Sequence, residues 1–165
     1  MHATLIAIEN NGILILGEPG SGKSRLAHAL IEKGHQLVAD DLVEIHTQED
    51  GSALGQAPKK LAGLLHLRHL GLFDIREQYG SEAYCQTAPI HFAVTLDPNL
   101  VLPPATLELP LETLELCQLK IPMITLNLSN ETRPAAIFKL LVGQHFAKIE
   151  VPNSTKRNII RAINS

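Results

Sequence analysis

The segment Gly17-Glu18-Pro19-Gly20-Ser21-Gly22-Lys23-Ser24 fits the pattern G-x-x-x-x-G-K-[ST] at every position. Residues of these types at this spacing hold phosphate. The glycines let backbone N–H groups converge on an anion, and a helix beginning at the end of the loop adds its positive N-terminus. Lys23 is placed to reach the β- and γ-phosphates of a nucleotide, and the Ser24 hydroxyl to bind Mg²⁺. Gly17, Gly20, Ser21, Gly22, Lys23 and Ser24 are therefore the expected nucleotide contacts, with ATP and Mg²⁺ as the expected cofactors.

Phosphoryl transfer asks for two further things: a carboxylate near the metal, and a group that takes the proton of the attacking hydroxyl. Asp40 and Asp41 answer both by position. They follow the apolar run Leu37-Val38-Ala39 and stand 16 and 17 residues after Ser24, a gap that one helix and one return strand fill. In a parallel βαβ unit this puts the pair at the C-terminal edge of a sheet, beside the phosphate loop. Adjacent residues on a strand end point opposite ways. The two are expected to divide the work, one as base for an acceptor hydroxyl and the other as metal or water-shell ligand. A turn or helix-cap aspartate is the structural reading of the same residues.

The elements that must position these groups follow from periodicity. Ala3 to Ile8 and Ile13 to Leu16 read as strands joined at Asn10-Asn11-Gly12, a hairpin whose second strand enters the loop. From Lys23 to Lys33, Leu26, Ala27, Leu30 and Ile31 recur at helical spacing, and Gly34 ends the helix. Residues 47–56 are polar and read as a loop. Pro58 to His69 reads as a helix with Leu61, Leu64 and Leu65 inward. Leu72 to Ile75 and His91 to Leu96 read as strands, and Pro98 to Pro110 as a proline-rich surface connection. Thr113 to Leu119 and Ile124 to Leu128 read as strands with Lys120-Ile121-Pro122 between them. Helices are expected over Arg133 to Phe146, with Ile137, Leu140, Leu141 and His145 on one face, and over Lys156 to Ile163. Alternating strands and helices give an α/β fold, a central β-sheet with flanking helices, as one domain over 1–165.

Bulk composition agrees. The chain has 165 residues, 45% apolar and 19% charged, which suits one globular core. No apolar run approaches the roughly 18 residues that cross a bilayer, and the net charge of −3 offers no footprint for nucleic acid. The start, Met1-His2-Ala3-Thr4, has no secretory pattern. Cys85 and Cys117 fit no metal spacing and read as reduced thiols of a cytoplasmic protein.

With these residues in view, the chain resembles a known family. The loop followed by Glu32-Lys33-Gly34-His35-Gln36-Leu37-Val38-Ala39-Asp40-Asp41-Leu42-Val43-Glu44-Ile45 is similar to the catalytic domain of bacterial HPr kinase/phosphorylase, which reads (K/R)-G-H-x-L-V-A-D-D-x-V-E-I at this place. Met1 to Leu5, Ala57-Pro58 with Leu61 to Ile75, and Gln118 to Leu126 resemble further stretches of that family. The resemblance implies a P-loop domain similar to phosphoenolpyruvate carboxykinase. It implies phosphorylation of a serine of HPr, the phosphocarrier of the sugar phosphotransferase system, with a reverse phosphorolysis that yields pyrophosphate and a role in regulating carbohydrate metabolism. It implies a homo-oligomer, a hexamer in the full-length family, and for a chain of this length the form without the N-terminal domain. Carried over, Lys23 and Ser24 are phosphate and Mg²⁺ ligands. Asp40 and Asp41 are the catalytic carboxylates, with Asp40 as general base, His2 close by, and Asp41 beside Ser24 on the metal. Arg68 matches the signature arginine and steadies phosphate charge.

Three positions depart from the resembled pattern. Arg25 and His66 stand where the family has Glu, and His69 where it has Gly. His66 removes a hard oxygen ligand, and imidazole is a poor partner for Mg²⁺. The pair His66 and His69 has no third ligand and reads as solvated. Two other functions compete with the HPr-directed kinase. A small-molecule P-loop kinase is disfavoured because Arg133 is the only arginine between Arg76 and Arg157, too few for an arginine-rich lid. A catalytically weakened nucleotide-binding regulator is what the loss of carboxylate at residue 66 would permit.

Overall fold

The computed structural model describes residues 1–101, 109–146 and 157. Its opening hairpin pairs β1 (Thr4–Ile8) with β2 (Asn11–Leu16), Thr4 opposite Ile15 and Ile8 opposite Asn11. The turn is Glu9-Asn10, both at positive φ, one residue earlier than expected. Asn11 secures it, donating from Nδ2 to Ile8 and Glu9 carbonyls at 3.3 and 2.9 Å. β2 runs into the loop and then α1 (Lys23–Ile31), whose Leu26, Ala27, Leu30 and Ile31 are buried as their spacing requires. β3 (Gln36–Ala39) returns to the sheet.

β3 pairs antiparallel with β1, which lies between it and β2. The β2–α1–β3 unit is therefore split by a strand, where the sequence led us to expect a direct parallel pair. β2 and β3 still point the same way, because each is antiparallel to β1. The expected edge is thus kept: the loop and Asp40-Asp41 leave the sheet at the same end.

Residues 47–56 are not a loop. They form most of a hairpin of β4 (Glu44–Thr47) and β5 (Ala53–Gln56). Its tip is locked by Asp50, whose Oδ1 accepts from Ser52 N and Oγ at 2.9 and 2.6 Å. The sequence hides β4 because three of its four residues are exposed, so no apolar alternation marks it. Nor is Pro58 to His69 a helix. A single 3₁₀ turn (Lys59–Leu61) gives way to β6 (Leu64–Leu67), which pairs with β7 (Gly71–Asp74). Gly63 at φ 79 breaks any helix there, and a short α2 (Ile75–Tyr79) capped by Asp74 follows.

β8 (Thr87–Leu96) is parallel to β2 on one side and to β10 (Leu119–Leu126) on the other, and β9 (Glu112–Leu116) closes that edge. The β9–β10 turn is Cys117-Gln118, both left-handed, and Lys120-Ile121-Pro122 lies inside β10. Pro122 pairs opposite Thr113 in the β9–β10 ladder, away from the run that β10 shares with β8. Among the described residues the sheet has eight strands, in the order β3-β1-β2-β8-β10-β9 with β5 and β4 added through β8.

Both sheet faces are buried, which strand alternation explains. Ile6, Ile8, Ile13 and Ile15 pack on one face with Leu26 and Leu30 of α1 and Phe138 of α3 (Pro134–Phe146). Leu5, Ala7 and Leu14 pack on the other with Val38, Val43 and Ala53. In α3 the buried residues include Ala135, Phe138 and Val142. The side chains of Leu140, Leu141 and His145, most of Pro98 to Pro110, and all of the Lys156 to Ile163 helix except Arg157 lie outside the described residues. Among the described residues no helix is long and apolar enough to cross a membrane. Cys85 and Cys117 are unpaired.

Candidate active site

The loop leaves β2 at Gly17, whose φ of 138 and close neighbours admit no side chain. A Cβ there would stand 2.5 Å from Ser21 Oγ and 2.6 Å from the Leu96 carbonyl. Gly22, left-handed at φ 101, turns the chain into α1. Lys23 folds back over the loop, its Nζ donating to Gly17 and Glu18 carbonyls at 2.7 and 3.2 Å. Ser21 Oγ is buried with no hydrogen-bond partner. An orphaned hydroxyl in the loop leaves a polar group that a bound phosphate could satisfy, since a buried polar group without a partner is unfavourable by about 1–3 kcal/mol.

Asp40 and Asp41 separate sharply. Leu42 N–H bonds back to Asp40 C=O at 2.8 Å, and Asp41 between them sits at φ 63. This three-residue turn is a strained geometry that aspartate tolerates better than most residues. It throws the two carboxylates in different directions. Asp40 is 3% exposed. It accepts from Thr4 Oγ1 at 2.7 Å, from Ser24 Oγ at 3.1 and 3.2 Å, and from the His66 backbone N–H at 3.0 Å. Burial pushes its carboxyl above the usual carboxylate range and the charge of Asp41 adds to this, against the hydrogen bonds, which act the other way. Asp41 is open, with its side chain 62% exposed, and lines the cleft above the loop.

That cleft, about 600 Å³, gathers the expected groups. Arg68 and His66, brought in by β6 and the turn after it, form its far wall. Arg68 lies over the loop, with Nη2 3.3 Å from where a Gly20 Cβ would be. His66 Nδ1 is 4.0 Å from Asp41 Oδ2. His2 reaches the same corner, its Nδ1 3.1 Å from the Asp41 carbonyl, and Met1 is pinned to Val43 by two backbone hydrogen bonds of 2.9 Å. Arg25 lines the same cleft and is held from one side. Its Nη2 donates to the Leu128 carbonyl at 2.6 Å and ties α1 to the end of β10. His69 sits in the β6–β7 turn at φ 69, and among the described residues no three His, Cys, Asp or Glu side chains gather as a metal group.

Sequence reading missed Thr4, the shortest contact to Asp40. Its signal was a lone hydroxyl in an otherwise apolar strand, here fully buried. It also missed Leu67, Leu70 and His28 on the cleft walls.

The profile of the HPr Serine kinase C-terminal domain matches residues 1–162. The chain belongs to that family. The HPr kinase/phosphorylase of Lachnoclostridium phytofermentans is 39% identical over 97 residues, covering 59% of this chain and 31% of that protein. The one from Lactobacillus acidophilus is 31% identical over 129 residues, covering 76% of this chain and 39% of that protein. The chain thus spans about a third of the length of the curated relatives it matches. Among solved structures, the Hpr(Ser) kinase/phosphatase from Coxiella burnetii is similar with a TM-score of 0.82 at 28% identity, covering 91% of this chain and 92% of that one. The mixed α/β fold with a central sheet and flanking helices is therefore shared with an HPr kinase-type structure, and membership in a kinase domain family implies use of a nucleotide.

Proposed function

We propose that this chain is an ATP- and Mg²⁺-dependent protein serine kinase domain whose acceptor is HPr. In this reading residues 1–165 form one catalytic domain, working in the cytoplasm as a homo-oligomer and regulating carbohydrate metabolism through the phosphotransferase system. The observation that carries the reading is the Asp40–Ser24 contact beside a complete phosphate loop, with a second carboxylate open to the same cleft. The names of the relatives support the acceptor.

The residues fit the groups they would hold. Loop N–H groups, Lys23 and Arg68 suit the β- and γ-phosphates. Ser24 and Asp40 offer adjoining hard oxygens for Mg²⁺, which supplies neutralisation of phosphate charge when bound. This reverses the expected division between the aspartates. Asp40 is buried and held by Thr4, Ser24 and the His66 N–H, which suits a fixed partner of a metal seated at Ser24 better than a base for an incoming serine. Asp41 is reachable, and we assign it the proton of the acceptor. The serine Oγ attacks the γ-phosphorus, the bond to the β-phosphate oxygen breaks, ADP leaves, and the serine proton passes to Asp41. His2, bonded to the Asp41 carbonyl, steadies that strained turn.

Incubation with γ-labelled ATP, Mg²⁺ and purified HPr tests the reading. Label on a serine of HPr is the expected result. ATP binding with no transfer to HPr would instead favour the nucleotide-binding regulator, for which the exposed His66 in place of a carboxylate speaks.

A further inference from the structure

The phosphate loop accounts for only part of the cleft. In-line transfer sets the acceptor and the rest of the nucleotide on opposite sides of the transferred phosphorus. Asp41 and His66 mark the acceptor side. The remaining lining consists of Arg25 and His28 on α1, Leu67 and Leu70 on the β6–β7 hairpin, and Pro98 with Ser129. Arg25 and His28 are one helical turn apart, so both face this space.

Arg25 is committed to the Leu128 carbonyl. His28 is held differently. Its Nε2 lies 2.7 Å from the Tyr79 hydroxyl, and the two rings meet edge to face at 5.8 Å and 69°. Two contacts from α2 thus fix an imidazole on the cleft wall, while Nδ1 has no partner among the described residues. The proton between Nε2 and Tyr79 decides what Nδ1 offers. If Tyr79 donates, Nδ1–H is a donor; if Tyr79 accepts, Nδ1 is an acceptor. Either form meets a polar edge of a nucleoside. The apolar side chains of Leu67, Leu70 and Pro98 suit the flat face of a base.

We propose that His28 recognises the nucleoside part of the substrate nucleotide through Nδ1, with Tyr79 as the positioning residue that sets its ring. The proposal rests on the kinase reading above. Fixing the ring before binding spares the entropy of ordering it, which favours affinity.

Calorimetric titration of wild type, His28→Ala, His28→Gln and Tyr79→Phe with Mg²⁺–ATP and with Mg²⁺–tripolyphosphate separates base from phosphate. His28→Ala is expected to weaken ATP about 10-fold and Tyr79→Phe about 3-fold, the scale of one hydrogen bond. His28→Gln recovers part of the loss. Tripolyphosphate, which has no nucleoside, stays within about 2-fold in every variant. Unchanged ATP affinity in both His28 variants overturns the proposal, and so does an equal loss for the two ligands. A wild-type protein that binds neither ligand overturns the kinase reading itself, a distinct outcome.

Discussion

Ser24 Oγ donates to Asp40 at 3.1 Å from one carboxylate oxygen and 3.2 Å from the other, joining the first turn of α1 to the end of β3. The contact closes a circuit, because Asp40 also takes the His66 backbone N–H and so anchors the hairpin that carries Arg68 over the loop. One buried carboxylate thereby sets the distance between the floor of the cleft and its far wall.

The two aspartates should fail differently when neutralised. Asp41→Asn is expected to lower turnover about 10²- to 10⁴-fold, the range for loss of a general base, with nucleotide affinity nearly intact. Asp40→Asn should shift the Mg²⁺ requirement upward and loosen the hairpin, since an amide nitrogen cannot accept the bonds a carboxylate oxygen accepts. Kinetics at several Mg²⁺ concentrations distinguish the pair. Superimposable profiles for both variants would remove the division of labour.

Lys23→Ala should reduce turnover by at least about 10²-fold, the scale of removing one charge that stabilises the transferring phosphoryl group. Lys23 now satisfies two loop carbonyls, Gly17 and Glu18, so part of its loss falls on the loop itself. A melting curve close to wild type, with ATP binding lost, is the expected combination. Retained affinity and activity in a folded variant contradicts the assignment.

The phosphate loop and the Asp40-Asp41 pair were legible because their chemistry is written in spacing, and α1 because Leu26, Leu30 and Ile31 keep a helical period. The hairpin that completes the site was not. Leu61, Leu64 and Leu65 mimic a helix face, but Leu61 closes a 3₁₀ turn, and what holds Leu64 and Leu65 extended is tertiary: the His66 N–H satisfied by Asp40, and Ile75 N–H by the Gly63 carbonyl. The roles of the aspartates were not legible either. Strand alternation was the expected cause of their separation, but both lie past the end of β3, and it is the turn at Asp41, whose positive φ no local sequence rule announces, that parts them. Cys117-Gln118 lacks the glycine or asparagine that marks a left-handed hairpin turn, so the strand boundary was displaced toward Pro122.

Acid should destabilise the fold partly through His35. This residue is 8% exposed, and burial, helped by the charge of Lys139, pushes its imidazole down from 6.5 to about 4. The folded pKa lies below the unfolded one, so the unfolded chain binds more protons between these values. Stability is full above about pH 6.5 and falls as pH drops toward 4. The shift corresponds to a loss of up to about 3 kcal/mol. Asp40, shifted upward, acts in the opposite sense, so a single melting curve mixes the two. Comparing wild type with His35→Gln in denaturant at pH 7 and pH 4.5 isolates the histidine. The difference between the two proteins should change in favour of the variant as pH falls, and a difference independent of pH rules the mechanism out.

The last prediction concerns His66, whose side chain is 57% exposed and faces Asp41. Phosphorolysis would bring anionic phosphate to an anionic phosphoserine, and that crowding of negative charge depends on well-placed Mg²⁺ more than attack by a neutral serine does. The forward reaction should therefore survive a missing carboxylate better than the reverse. His66→Glu is a clean test because residue 66 holds Asp40 through its backbone N–H, which the substitution keeps. Other carboxylates are poor substitutes: Glu44 already accepts from Gln56 at 3.0 Å, and neither Glu44 nor Glu77 lines the cleft. We expect His66→Glu to raise pyrophosphate formation from phosphorylated HPr and phosphate about 10-fold and to lower the Mg²⁺ needed for half-maximal rate, the scale of one added hard ligand near the metal. His66→Gln, which removes the imidazole without adding charge, should not reproduce the gain. A wild-type protein that already runs efficiently in reverse, with no change in His66→Glu, shows that the metal is held without residue 66 and that the histidine there carries no functional consequence.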